Sequence, residues 1–299
     1  MESAPRIDVA DQTLAIGDRV RSTARPEWGP GRVASVPNGG KVCVLFREAG
    51  PRTLSLHHAK LERLGDEERT DAWLERLSLA PVAPDPAHVS PRQAAERFLA
   101  THPEGFHGDT YRSRERAPLE AAQAILRGSV SREALRAAGR SRRFEPVCRA
   151  ACEALSAAKL VPPADATLLR RALETSPARA RFGAALADLF FGRQTPELRV
   201  ERFASALDGI GACRWSLATF FGFVRAPEQH AFLRPGETPL AAASLRYDIG
   251  FRPAVNAETY ARLLGLVRAL AEELAELEPA DGFDVYAFLR SVAAASSSR

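Results

Sequence analysis

The chain has few cysteines and no long apolar segment. It holds four cysteines and one methionine in 299 residues. No apolar run reaches the roughly 18 residues that a transmembrane helix needs. Residues 1–13 carry acidic side chains and no apolar stretch, which predicts a loose tail and no signal peptide. Scattered cysteines in such a chain are typical of reduced thiols, so the sequence predicts a cytoplasmic protein.

Known catalytic and nucleotide-binding patterns are also missing. The sequence has no GxxxxGK[ST] phosphate loop, no HExxH, no GxGxxG after a strand and no Ser/His/Asp signature. No Cys/His pairs stand at zinc-ligand spacing, and Cys148 and Cys152 are expected to be buried apolar thiols. We therefore expect a non-enzymatic protein with no metal site, no cofactor, no membrane partner and no small-molecule substrate.

Positive charge is concentrated in two stretches. Residues 14–65 hold nine basic and four acidic residues, and residues 101–235 hold twenty-one and fourteen. The stretches 66–100 and 236–299 are net acidic. Clustered positive charge attracts polyanions or acidic protein surfaces. A solvated arginine–glutamate surface explains the same counts, so charge alone leaves both interpretations open.

Residues 14–65 have the pattern of a small all-β module. Short strand-like runs lie at 18–22, 31–36, 41–46 and 52–57, broken by glycine and proline. Val42, Val44 and Phe46 alternate with their neighbours, as in a half-buried strand. Asn38-Gly39 is a strong hairpin signal between the second and third runs. The spacing predicts a small autonomous barrel with five strands.

The rest of the chain predicts helices. Residues 66–90 combine a helical pattern around Trp73, Leu74 and Leu77 with a proline-rich linker. Ser90-Pro91 then has the form of an N-cap followed by proline at the first helical position. The fold class is therefore α+β, with the barrel followed by an all-α domain at 91–295. Its expected helices are 91–101, 113–127, 131–139, 144–158, 164–174, 177–191, 196–207, 214–224, 238–246, 256–276 and 282–294.

The β module resembles a known kind of docking domain. The resemblance rests on Gly17-Asp18 before a strand, Gly29-Pro30-Gly31, the alternating strand at 41–46, Thr53-Leu54 and a closing Leu61-Glu62. Together they resemble the small Tudor/SH3-like barrel at the C-terminus of UvrD/PcrA-type helicases and the barrels of CarD-type regulators and transcription-repair coupling factors. The resemblance implies a non-catalytic module that contacts nucleic acid or RNA polymerase. No helicase motor precedes it, and the helical part looks like an uncharacterised bacterial family.

Several side chains of the β module are candidates for partner binding. Trp28 stands beside basic residues in the first loop, where it would stack on a base or anchor a protein partner. Alternatively, Trp28 covers the open end of the barrel. The full set of candidate binding residues in this module is Arg19, Arg21, Arg25, Trp28, Arg32 and Lys41.

The segment 207–235 is dense in aromatic and special residues and allows two interpretations. In one, Gly209-Ile210-Gly211 and Arg214 form a helix-hairpin-helix turn that binds a DNA phosphate through backbone N–H groups. That turn resembles the one in DNA glycosylases of this class, with Glu228 and His230 as weak candidates for catalysis. Asp208 stands where such turns have proline, and no lysine is near. In the other interpretation, the aromatic residues of 215–223 are core and His230 is a hydrogen-bonded loop residue.

A third basic cluster lies between two predicted helices. Arg140, Arg142 and Arg143 stand at a helix junction, where they would touch phosphate or lie in a solvated loop. We therefore expect a protein that binds nucleic acid, with DNA favoured, or RNA polymerase, in DNA repair, transcription control or mobile-element defence. The alternatives are a protein–protein adaptor without nucleic acid and a glycosylase-like enzyme.

Overall fold

A five-stranded antiparallel sheet precedes a helical region. The computed structural model describes residues 14–36, 40–65, 71–80 and 86–297. The predicted tail at 1–13 and the predicted Asn38-Gly39 turn lie outside the described residues. The α+β class is confirmed. The strands are β1 (Arg19–Ser22), β2 (Pro30–Ser35), β3 (Lys41–Phe46), β4 (Gly50–Ser55) and β5 (Leu61–Arg63).

The sheet wraps around a small core of its own. Its strand order is β4-β3-β2-β1-β5, so the last strand returns to pair with the first. Side chains alternate as the sequence predicts on β3, where Val42 and Val44 are buried and Lys41 is exposed. At Gly31 a Cβ would lie 2.7 Å from side-chain atoms of Val44 and Phe46, so the packing leaves room only for glycine. The buried members of this core are Leu14, Val20, Val33, Val42, Val44, Phe46 and Leu61.

The helices lie close to where the periodicity predicts them, because most carry local start signals. Ser90 caps its helix through a reciprocal bond with Gln93, and Asn256 accepts from the Thr259 N–H at 2.8 Å. The helices are α1 (Ala72–Arg76), α2 (Pro91–Thr101), α3 (Asp109–Tyr111), α4 (Ala117–Ser129), α5 (Arg132–Ser141), α6 (Glu145–Ala158), α7 (Pro163–Ala172), α8 (Ser176–Phe191), α9 (Pro196–Asp208), α10 (Trp215–Arg225), α11 (Thr238–Ser244), α12 (Ala257–Glu273) and α13 (Gly282–Ser297). A π-helical segment, Arg112–Arg116, joins α3 to α4.

Helix α10 lies at the centre of the helical region. Every residue from Trp215 to Val224 is buried. Phe221 makes edge-on contacts with Phe182 of α8 and Phe203 of α9, at ring separations of 5.5 and 5.8 Å. A helix that is apolar on all sides has to lie inside the protein. The structure therefore agrees with the interpretation of 215–223 as core.

The sheet is joined to the helical region by buried and half-buried contacts, not held apart from it. Arg47, just after β3, forms ion pairs with Asp71 before α1 and with Glu273 of α12. Glu48 accepts a hydrogen bond from Ser90 at 2.6 Å, which ties the α2 N-cap to the sheet. Leu45 belongs to the large helical core together with α1. The sheet therefore keeps a core of its own, while Leu45 and these ion pairs fasten it to the helical region. Autonomous folding of residues 14–65 stays a prediction.

Every helix among the residues that the structure describes is too short or too polar to span a bilayer.

Candidate nucleic-acid interface

Two of the predicted binding arginines on the sheet are already engaged inside the protein. Arg19 and Arg32 lie on neighbouring strands and both form ion pairs with Glu75 of α1. Arg32 also donates to the carbonyls of Leu74 and Glu75, at 3.3 and 3.0 Å. Burial lowers the pKa of Arg32. These two side chains fasten α1 to the sheet and point their charge at the helix.

The other predicted residues of the sheet are more accessible. Lys41 and Arg25 are exposed, Arg21 is half-buried, and Arg25 forms a 3.5 Å ion pair with Glu27. Trp28 is half-buried, with its ring 5.1 Å from Phe46 at the edge of the sheet core. The position of Trp28 fits the interpretation that it covers the end of the core, while its remaining exposed surface is open to a partner.

The Gly209–Gly211 turn directs its own N–H groups inward. The N–H groups of Gly209, Ile210 and Gly211 donate to carbonyls of Ser205, Leu207 and Asp208 respectively, at 2.9 to 3.2 Å. These bonds close the end of α9 in the manner of a C-cap. None of these three N–H groups is therefore left to hold a phosphate.

The cavity beyond this turn has an acidic lining. Arg214 lines it, and so do Asp165, Glu201 and Asp208. Ser216, in the first turn of α10, donates to Asp165 at 2.5 Å. A phosphate placed at the start of α10 would face these carboxylates, so the electrostatics disfavour a DNA phosphate there.

The two weak catalytic candidates are not brought together. Glu228 is exposed, whereas His230 is buried and its Nδ1 lies 3.1 Å from the hydroxyl of Tyr260. Burial, with a smaller effect from Arg199, lowers the pKa of His230 to about 3. His230 lies in the loop between α10 and α11 and is hydrogen-bonded, as one of the two sequence interpretations expects, and it is also buried and neutral. The geometry gives no acid–base pair for glycosidic bond cleavage.

The structure reveals a surface cluster that the sequence does not. Phe190 and Phe191, at the end of α8, are both half-buried, and their rings stand 6.0 Å apart. The guanidinium of Arg225 lies 4.7 and 4.8 Å from the two rings, and that of Arg132 lies 4.4 Å from Phe191. Arg127 donates to the Arg225 carbonyl at 3.1 Å. We call these five residues the arginine–phenylalanine cluster.

The positive charge of this cluster is only partly offset, because Glu133 interacts electrostatically with Arg132 without forming an ion pair among the described residues. Burial lowers the pKa of Arg225, and the nearby charge of Arg127 lowers it further. Arg127, Arg132 and Arg225 form no ion pair among the described residues. A guanidinium on an aromatic face is stabilised by the ring quadrupole, which holds cations in place without a carboxylate.

A row of arginines on α5 extends the cluster. Arg132, Arg136 and Arg140 are spaced four apart on α5, whose apolar side buries Leu135 and Ala138. Such spacing places successive side chains on one helix face, about 6 Å apart along the axis. Arg142 and Arg143 follow at the C-terminal end, where Arg142 has a φ of 56°. We call Arg132, Arg136, Arg140, Arg142 and Arg143 the arginine face.

The arginine face is also free of ion pairs in the part of the chain that the structure describes. All five of its side chains are exposed. The spacing of four residues between these arginines is visible in the sequence. Three members of the arginine face, Arg140, Arg142 and Arg143, were predicted as a basic cluster. The contact of the arginine face with Phe191 was not readable, because α5 and α8 meet only in the tertiary fold.

Comparison with known protein families gives a match only for the residues of the sheet module. Residues 14–64 match a family described as a protein of unknown function (DUF3553). The match covers about a sixth of the chain and none of the helices that carry the arginine face. Neither the curated proteins nor the solved structures contain a match to this chain.

No site for a metal ion emerges from the described ranges. Within them, no three His, Cys, Asp or Glu side chains come together as a possible ligand set. All four cysteines are free thiols, and burial raises the pKa of Cys148 to about 12. A thiol held in this neutral form is a poor nucleophile and a poor metal ligand.

Proposed function

We propose that this protein is a non-enzymatic nucleic-acid-binding protein, with DNA as its first ligand, and that the arginine face and the arginine–phenylalanine cluster form its contact surface. The observation that carries the proposal is the stacking of Arg132 and Arg225 on half-buried Phe190 and Phe191, beside a row of unpaired arginines. This surface uses nine residues from α4, α5, α8, α10 and the turn after α5.

Each part of the surface suits one part of a nucleic acid. Guanidinium groups bind phosphates with two parallel hydrogen bonds. Aromatic rings and guanidinium planes stack on unpaired bases, and each stacked base is worth about 1–3 kcal/mol. The alternation of exposed arginine with half-buried phenylalanine therefore favours a strand whose bases are at least partly open.

The cellular setting of the proposal comes from the sequence. The four free thiols support a cytoplasmic location. The resemblance of residues 14–65 to docking barrels supports a role in DNA repair, transcription control or mobile-element defence. In that setting the sheet would contact RNA polymerase or another protein while the helical region holds nucleic acid.

Salt dependence is the sharpest test of this surface. We expect labelled single-stranded DNA to bind with a log-linear loss of affinity as salt rises, because phosphate contacts release counterions. Replacing Arg132, Arg136 and Arg140 together by alanine should reduce the slope by about 2, since each phosphate contact contributes about 0.7 on a single strand. Fluorescence anisotropy between low and physiological salt measures both slopes. Duplex DNA and RNA of equal length serve as parallel ligands.

A matched control separates the surface from net charge. Arg92, Arg252 and Arg262 are exposed, and each forms an ion pair with a glutamate. Their triple alanine variant loses the same charge but should keep the wild-type slope. Phe191→Leu should weaken single-strand binding more than duplex binding, because leucine keeps the apolar contact and loses the stacking face. Equal slopes in both triple variants would refute the proposal.

A protein–protein adaptor is the second candidate, and exposed apolar side chains favour it. Four large hydrophobic residues are exposed among the described residues, and three of them, Ile16, Val36 and Leu56, belong to the sheet module. Ile16 is 66% exposed. Exposed apolar groups are typical of protein contact sites. Retention of a partner from nuclease-treated lysate by wild type, and its loss from Ile16→Asp, would support the adaptor over the nucleic-acid proposal.

A further inference from the structure

A cavity between the π-helical segment and α13 has the features of a ligand site. It has a volume of about 200 Å³ and lies against α4, the end of α6 and α13. Leu119, Phe283 and the rings of Tyr111 and Tyr286 line it with apolar surface, while Arg114, Lys159 and Arg290 bring positive charge. These residues are separate from the arginine face and from the arginine–phenylalanine cluster.

One wall residue has an unused polar group. Tyr286 is 5% exposed, and its hydroxyl has no hydrogen-bond partner among the described residues. A buried hydroxyl without a hydrogen-bond partner destabilises the protein. Burial, with a further effect from the nearby carboxylate of Glu237, raises the pKa of Tyr286, so the hydroxyl stays protonated and is able to donate. A ligand with an acceptor oxygen would remove that destabilisation.

The charge around the cavity favours an anion. Glu115 is the one carboxylate that lines it, and it is paired with Arg290 at 3.0 Å. Arg114 and Lys159 are exposed at its edge and form no ion pair in the described part of the chain. Two positive charges are therefore left uncompensated beside an apolar wall.

Two acids near the cavity, Asp281 and Asp284, are held in a network with Arg116. Asp284 accepts from Tyr111 at 2.5 Å and from Arg116 at 2.7 Å, and Arg116 also donates to Asp281 at 2.7 Å. Arg116 balances only one of these two carboxylates, and hydrogen bonds from Tyr111 and from the Ala280 N–H stabilise the negative charge of Asp284. The network also fixes the Tyr111 ring, so the cavity wall is held in place before any ligand arrives.

Two backbone features place the cationic side chains. The N–H of Ala117 donates to the carbonyl of Arg112, five residues back, and π turns of this kind recur at functional sites. Lys159 ends α6 with a φ of 55°, a conformation that favours glycine. This conformation fixes the direction in which the Lys159 backbone leaves α6 beside the cavity.

We propose that this cavity binds a small organic anion, with one carboxylate or phosphate group at Arg114 and Lys159 and an apolar body of about one ring against Leu119 and Phe283. The size fits, since a cavity of about 150 Å³ holds a benzene ring and the extra volume accommodates the acidic group. The Tyr286 hydroxyl would donate to the ligand. This site differs from the sequence expectation of no small-molecule ligand and does not depend on the proposed function.

Calorimetry with two simple anions tests the proposal. Benzoate and phenyl phosphate represent the carboxylate and the phosphate, and uncharged benzamide is the comparison ligand. We expect at least one anion to bind the full-length protein at millimolar or lower concentration, and more tightly than benzamide. Saturation-transfer NMR gives a second readout of the same binding.

Three variants locate the binding. Lys159→Gly removes the charge and places glycine at a positive φ, so folding is not the cause of a weaker affinity, which should fall about tenfold. Tyr286→Phe should weaken binding about three- to tenfold by removing one hydrogen bond. Arg112→Ala, on the same π segment but outside the cavity lining, should leave the affinity unchanged. Absence of binding by both anions, or equal affinity in wild type and Lys159→Gly, would overturn the proposal.

Discussion

At the scale of single residues, the buried histidines show how burial decides chemistry. His230 and His88 both have lowered pKa values, to about 3 and about 4, mainly because burial disfavours the charged ring. The Nε2–H group of His88 donates to the Arg47 carbonyl at 3.2 Å. Both rings therefore stay neutral in the folded protein at pH values where a free histidine is charged.

These two histidines predict a loss of stability in mild acid. The unfolded chain takes up the two protons near pH 6.5, and the folded protein does so only near pH 4 and 3. Between these values the unfolded state binds more protons, so the stability present above pH 6.5 is lost as the pH falls. Each histidine contributes about 1.4 kcal/mol per pH unit in that window.

Conservative variants test this prediction. Asparagine at position 230 keeps a hydrogen-bonding amide near the position of Nδ1. Glutamine at position 88 keeps one near the position of Nε2. We expect His230→Asn and His88→Gln each to flatten the dependence of unfolding free energy on pH between about 6.5 and 4.5. Urea titrations at several pH values measure this. Variants with the wild-type pH slope would contradict the neutral assignment.

At the scale of elements, the sequence predicts where helices and strands lie, because their signals are local. The cap at Ser90, the alternation at 41–46 and the apolar period of α12 all act within a few residues. The π segment at Arg112–Arg116 was missed, and the helix there begins at Asp109 rather than 113. Its i to i+5 bonds have no distinct residue signature, and the contacts of Arg116 with α13 accompany it.

The docking of α1 on the sheet predicts a division of roles among the arginines of β1 and β2. Arg32→Ala should lower stability by about 1–2 kcal/mol, because it removes two bonds to helix carbonyls and an ion pair. It should leave DNA affinity within twofold of wild type. Urea unfolding and anisotropy on the same samples measure the two effects.

Lys41→Ala is the matched comparison on the same sheet. Lys41 is exposed, so its removal should change stability by less than about 0.5 kcal/mol. Any loss of DNA affinity in this variant would reveal a direct contact by the sheet. Weaker DNA binding with unchanged stability in Arg32→Ala would contradict the structural role of Arg32.

At the scale of the whole molecule, the contacts of Arg47 make the sheet and the helices one unit. The side chains of Arg47, Asp71 and Glu273 are 23%, 18% and 17% exposed, so their ion pairs are largely out of water. Burial alone would lower the pKa of Arg47, but Asp71 and Glu273 raise it above its usual value. The guanidinium therefore remains charged and holds two carboxylates from different parts of the chain.

Loss of this group should separate the two regions. Arg47→Met leaves Asp71 and Glu273 without their partner, and breaking such a pair costs about 3 kcal/mol. We expect a single calorimetric unfolding transition for wild type and two for Arg47→Met. Arg92→Met, in an exposed pair with Glu96, should keep one transition and shift it little. One transition at the wild-type temperature in both variants would contradict this coupling.

The candidate site shows where sequence reasoning stops. The sequence contains the spacing of Arg132, Arg136 and Arg140, and it predicts basic charge at 140–143. The sequence also treats Arg19 and Arg32 as candidate binding residues, whereas the structure pairs both with Glu75. A charge count does not distinguish an arginine that faces solvent from one that faces a carboxylate distant in the chain.

The sequence by itself determined the fold class and the helix and strand positions, since capping and alternation act over short distances. It left two interpretations of 207–235 open, and burial in the fold decided for the core. Only the tertiary structure decided which cations remain unpaired, that Arg225 and Arg132 stack on Phe190 and Phe191, and that Tyr286, Arg114 and Lys159 border one cavity. These contacts join residues far apart in the chain, and their energies depend on distance and burial, which exist only after folding.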